Sequence, residues 1–127
     1  MAFAKALTEA VQAKLVFADA IISAYIKKDK KALAKVVPLI ADYEKKLKKF
    51  VSLFRTMWHR NNKPFGLETM QVRFAGQEAR IQELKIRLNE YLDGKVKSIP
   101  ELDEIQRAKG DVHMWNYTRT SHASSII

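Results

Sequence analysis

The chain has 127 residues, about one ordinary domain and far below the roughly 250 that a (β/α)₈ barrel needs. A hydrophobic content of 47% is enough for a packed core, while four Gly and three Pro argue against an all-β fold, which turns about every ten residues. The absence of Cys removes disulfides, thiol catalysis and Cys-containing zinc sites, and 23 Lys and Arg against 14 Asp and Glu leave a formal charge of +9. Residues 3–28 read as a helix, with Phe3, Leu7, Val11, Leu15, Ala18, Ile22 and Tyr25 at intervals of three and four as its buried face. A polar corner, Lys27-Lys28-Asp29-Lys30-Lys31, follows, with Asp29 a candidate N-cap for a helical turn over 30–37. Pro38 suits the first turn of a new helix, whose apolar positions are Leu39, Tyr43, Leu47, Phe50, Phe54 and Met57.

Asn61-Asn62-Lys63-Pro64-Phe65-Gly66 stops that helix, because Asn, Pro and Gly together break helical pattern. Leu67, Met70, Phe74, Gln77, Ile81, Leu84, Leu88 and Tyr91 then form a heptad seam for close packing against another helix. Gly94 is placed as its C-terminal cap, and Gly76 fits either a close helix crossing or a plain surface position. A short fourth helix is expected from Ser98-Ile99-Pro100 through Arg107, and Gly110 ends it. Residues 112–120 alternate with aromatic and β-branched side chains and read as one strand in an extended tail over 108–127. A lone strand has no sheet to join, which points to exchange between two copies or to a neighbouring domain. The predicted architecture is all-α and a single domain over 1–127: three long helices in an antiparallel bundle, a short fourth helix and a C-terminal extended segment.

The charge excess is local. Nine Lys against three acids lie between Lys27 and Lys49, a band with no Arg. Nucleic-acid surfaces commonly add Arg and stacking aromatics, so a solvated helix face is the favoured reading and binding to nucleic acid or an anionic surface the alternative. His59, His113 and His122 lack metal-ligand spacing, and neither a metal nor a cofactor is expected. Asp103-Glu104 has the residue types of an acid pair for sugar hydrolysis, yet acids in a first helical turn are favoured by the helix dipole alone. Ser121, Ser124 and Ser125 flank His122 without a nucleophile elbow or an orienting acid. No uncharged run approaches the roughly 20 residues of a membrane span, and Lys5, Glu9 and Lys14 interrupt any signal-peptide core, so a cytoplasmic location is expected. The corner is the most informative stretch: Trp58 and Phe65 are placed to plug its mouth.

Trp58-His-Arg-Asn-Asn-Lys-Pro-Phe-Gly-Leu-Glu68 resembles a motif in the C-terminal helical region of bacterial family 20 glycoside hydrolases, the β-N-acetylhexosaminidases. The resemblance runs on through Val72-Arg-Phe-Ala-Gly-Gln-Glu-Ala-Arg80, Arg87-Leu-Asn-Glu-Tyr-Leu-Asp-Gly94 and Ile99-Pro-Glu-Leu-Asp-Glu104. The basic elbow near Lys27–Lys31 fits it too, and Trp115 to Ser125 resembles a closing strand. It implies a parent with a small α/β domain, a catalytic (β/α)₈ barrel bearing an Asp-Glu pair, and then this helical domain, associated with dimerisation. Such a chain would be non-catalytic on its own, and Asp103-Glu104 would not be the barrel's pair. Its expected partners are a second copy, the barrel, or both. The candidate interface or barrel-facing residues are Trp58, His59, Arg60, Asn62, Lys63, Phe65 and Trp115. A net charge of +9 is not part of that family pattern and leaves the basic band open to a separate role.

Overall fold

The computed structural model describes residues 2–107, with side chains through Asp103, and every regular element among them is helical. Helix α1 spans Ala2–Ile26, α2 Lys30–Ala34, α3 Val37–Asn61, α4 Leu67–Leu92 and α5 Pro100–Arg107. The three long helices and the short α5 match the expected all-α bundle, and the turn predicted over 30–37 is α2. The predicted strand and tail over 108–127 lie outside the described residues.

Local chemistry sets the boundaries. The α1 backbone closes with Lys28 in the left-handed region (φ 53°), Asp29 N–H donating to the Ala24 carbonyl at 2.9 Å and Lys28 N–H to that of Tyr25 at 3.0 Å. Asp29 caps α2 as expected, its carboxylate accepting from the Ala32 amide at 2.9 Å. Pro38 sits in the first turn of α3, where its missing N–H costs nothing. Gly94, at φ 76°, follows α4 in the geometry used at the end of α1, with Lys95 N–H donating to the Glu90 carbonyl at 2.9 Å.

Side-chain pairings show how the helices run. Phe3 near the start of α1 meets Phe50 (5.4 Å between ring centroids) and Phe54 (5.9 Å) toward the end of α3, and Phe17 meets Tyr43 (5.1 Å). These two helices are therefore antiparallel. Phe74 of α4 packs edge-on against Phe50 and Phe54, so α4 returns antiparallel to α3 and runs parallel to α1. Phe17, Ile21, Leu33, Ile40, Leu84, Leu88, Ile99 and Leu102 are fully buried. Each such side chain contributes about 1.5–3 kcal/mol by leaving water.

The α3 and α4 stripes are buried as their spacing predicts, whereas α1 is rotated from the expected face. Ala6, Ala10, Ala13, Phe17, Ile21, Ala24 and Tyr25 are buried, while Leu7, Val11 and Leu15 are 39, 48 and 66% exposed. The alanines are the reason: small side chains let the α1 backbone close on the bulky aromatics of α3, which the larger aliphatic row would hold off. Gly76 does not serve a close crossing, since a Cβ added there would meet nothing within 4 Å.

Candidate functional site

The corner between α3 and α4 is a built structure. Trp58 near the end of α3 stacks on Phe54 (5.7 Å), and its indole Nε1 donates to the Lys63 carbonyl at 2.9 Å. Gly66 adopts φ 94°, and a Cβ there would come within 3.5 Å of the Trp58 ring. Its amide donates to the Glu68 carboxylate at 2.9 Å, which ties the corner to the first turn of α4. Trp58 fills the mouth of the corner as the sequence suggested. Phe65 does not, and is 82% exposed: the indole already occupies the inside, so the second ring is turned to solvent. His59, Arg60, Asn62 and Lys63 are exposed around it. The structure thus brings six candidate residues to one end of the bundle, and Trp115 lies outside the described residues.

The basic band divides between two places. Lys46, Lys48 and Lys49 on α3 pair with Asp42 (2.6 Å), Glu44 (3.9 Å) and Glu9 (3.2 Å). Lys27, Lys28, Lys30 and Lys31 surround the C-terminal end of α1, where cations are favoured by the helix dipole. Lys30 Nζ donates to the last carbonyl of α4, Leu92, at 3.4 Å and lies over the Tyr91 ring. Glu44 is also bonded by Lys85 and by Gln82 Nε2 at 2.6 Å, and the Lys85 contact leads in holding its carboxyl below the usual glutamate range.

Asp103 is bound inward. Tyr25 Oη donates to its carboxylate at 3.0 Å and accepts from the Ile99 amide at 2.8 Å, so one phenol fastens α5 to the end of α1. Burial pushes the Tyr25 hydroxyl up from its ordinary value. The side chain of Glu104 and residues His113, Ser121, His122, Ser124 and Ser125 lie outside what the structure describes. Among the described residues no three His, Asp or Glu stand close enough together to hold a metal ion.

One surface escaped the sequence reading. Lys14 Nζ donates to Gln77 Oε1 at 3.3 Å, and Tyr25 packs on Tyr91 (5.3 Å), so positions 14 and 25 of α1 and 77 and 91 of α4 mark the seam between these parallel helices. Burial holds the Lys14 ammonium below its ordinary pKa. Beside that seam α1 carries the exposed row of Leu7, Val11 and Leu15, and α4 carries Arg73, Arg80 and Arg87 at intervals of one heptad. Both signals were in the sequence: α1 has more apolar positions than one face can use, and the arginine period is visible by counting.

The structured corner and the phenol clamp brace the two ends of a helical domain. Residues 1–113 match the family described as the Glycoside Hydrolase 20C C-terminal domain, and the chain belongs to it. It corresponds to the C-terminal part of a family 20 glycoside hydrolase and not to the catalytic barrel. No curated protein and no solved structure matches it. Among the described residues no helix is long and apolar enough to cross a membrane.

Proposed function

We propose that this domain is the non-catalytic assembly module of a β-N-acetylhexosaminidase, serving dimerisation and support of the barrel in an enzyme that removes terminal N-acetylhexosamine. The observation that carries the reading is Phe65, a ring 82% exposed on a corner braced by Trp58 and Gly66. An exposed aromatic on a rigid support is the kind of anchor that interfaces use, because little conformational entropy remains to be lost on binding. Phe3 and Trp58 both pack on Phe54, so α1 begins at this same end. A barrel preceding the domain would join beside Phe65, His59, Arg60, Asn62 and Lys63.

Hydrolysis of an N-acetylglucosaminide by this chain alone is expected to be indistinguishable from buffer, and turnover by clean protein defeats the reading. In the intact enzyme, Phe65→Ser is expected to weaken assembly or lower activity, while a variant with the parent's molar mass and kinetics removes the corner from the interface. Light scattering on a sizing column at low and high salt separates the two modes of assembly. A dimer that survives high salt supports an apolar self-complementary contact, and a monomer shifts the weight to the barrel. Mass that depends on salt returns the Lys27–Lys49 band, and with it an anionic partner, to the centre.

A further inference from the structure

The seam between α1 and α4 presents two rows side by side. On α1, Leu7, Val11 and Leu15 are exposed, and Ala18 and Ile22 continue the row half-buried. On α4, positions 73, 77, 80, 84, 87 and 91 alternate four and three apart and so share one face. Gln77 and Tyr91 on that face touch α1, which places Arg73, Arg80 and Arg87 along the same seam. The hydrogen bond 14–77 and the ring contact 25–91 set the level of one helix against the other. Arg73 accordingly stands level with the Leu7–Val11 stretch, Arg80 with Leu15–Ala18, and Arg87 with Ile22.

Among the described residues, ion pairing reaches only one of the three arginines. Arg87 pairs with Glu90 at 2.6 Å. Arg80 is half-buried, and its Nε is enclosed with no hydrogen-bond partner among the described residues. A guanidinium whose Nε is already shut away keeps its remaining N–H groups as donors for a carboxylate, and such charge-assisted bonds are among the strong ones. We infer that the α1–α4 seam is a docking groove for an amphipathic helix of a partner, its apolar face lying on Leu7, Val11 and Leu15 and its carboxylates, one heptad apart, meeting Arg73 and Arg80. This rests on the reading of the domain as an assembly module and names the chemistry of what the module binds. A second copy is the weaker occupant, because it opposes the seam with the same rows, arginines included, and guanidiniums covered without counter-charge lose their hydration unrewarded.

The probes are two synthetic three-heptad helices with leucine seams, one edged with Glu and one with Lys, labelled for fluorescence anisotropy against the full chain. The Glu-edged peptide is expected to bind at least tenfold tighter. Arg80→Glu is expected to abolish that preference, and Arg80→Gln to weaken Glu-edged binding with the helical circular dichroism unchanged. Leu15→Glu is expected to lose both peptides. Equal affinity for the two peptides, or binding of neither, overturns the proposal. So does a dimer that Leu15→Glu dissolves, which assigns the seam to a second copy, or pelleting with phosphatidylserine vesicles that the same variant prevents, which assigns it to a membrane. Failure here with the Phe65→Ser effect intact leaves the assembly reading standing and removes only the groove.

Discussion

The two apolar faces of α1 do different jobs with different residues. Toward α3 it offers Ala6, Ala10 and Ala13 with Phe17 and Ile21, all buried, so the backbones approach closely and aromatics fill the remaining space. On the other face it carries Leu7, Val11 and Leu15, larger and more hydrophobic on average, and leaves them in water. Side-chain size therefore sorts the faces where hydrophobicity does not. The face whose side chains are larger on average is not the core face.

The largest expected effect tests the inner face. Phe17→Ala removes a ring that packs on Tyr43 and should cost about 3–5 kcal/mol in urea denaturation. Tyr25→Phe deletes the hydroxyl shared by Ile99 and Asp103 and should cost about 1–3 kcal/mol, with amide exchange around Ile99 accelerating first. Glu44 acts through pH. Its folded pKa lies below the ordinary one, so its contribution is complete above the unfolded value and is lost as pH falls through the folded value. Glu44→Gln should therefore flatten the acid limb of the stability curve, and a variant as acid-sensitive as the parent would dismiss the Lys85 contact. Lys28→Gly relieves a left-handed lysine and should stabilise by about 0.5 kcal/mol, a gain reduced by the freedom glycine adds to the unfolded chain. The smallest change belongs to the outer face: Leu15→Ser should shift stability by less than about 0.5 kcal/mol. A loss comparable to that of Phe17→Ala would erase the distinction between the faces.

Much of the fold was legible because α3 and α4 each carry one apolar stripe, and a single stripe at helical spacing has one way to be buried. Asp29 and Gly94 were legible for a similar reason: the chemistry of a helix end is local. Helix α1 was not, since two apolar faces give periodicity nothing to choose between, and only the packing partner decides. At the corner, Trp58 was placed correctly and Phe65 was not, because the sequence shows two rings and one cavity without saying which enters. The Tyr25 clamp joins residues 74 apart in the chain, and no local pattern announces it. The arginine row was readable as a period, but its meaning depends on α1 lying alongside.

Gln77 ties these observations together. Its single amide oxygen accepts from Lys14 at 3.3 Å and from Tyr43 at 3.4 Å, so one atom joins α4 to both other long helices at the same height. An axial slip of one turn, about 5.4 Å, would break both bonds at once. The domain therefore behaves as a ruler: its leucine and arginine marks stay in phase, and anything that reads its surface reads a fixed spacing.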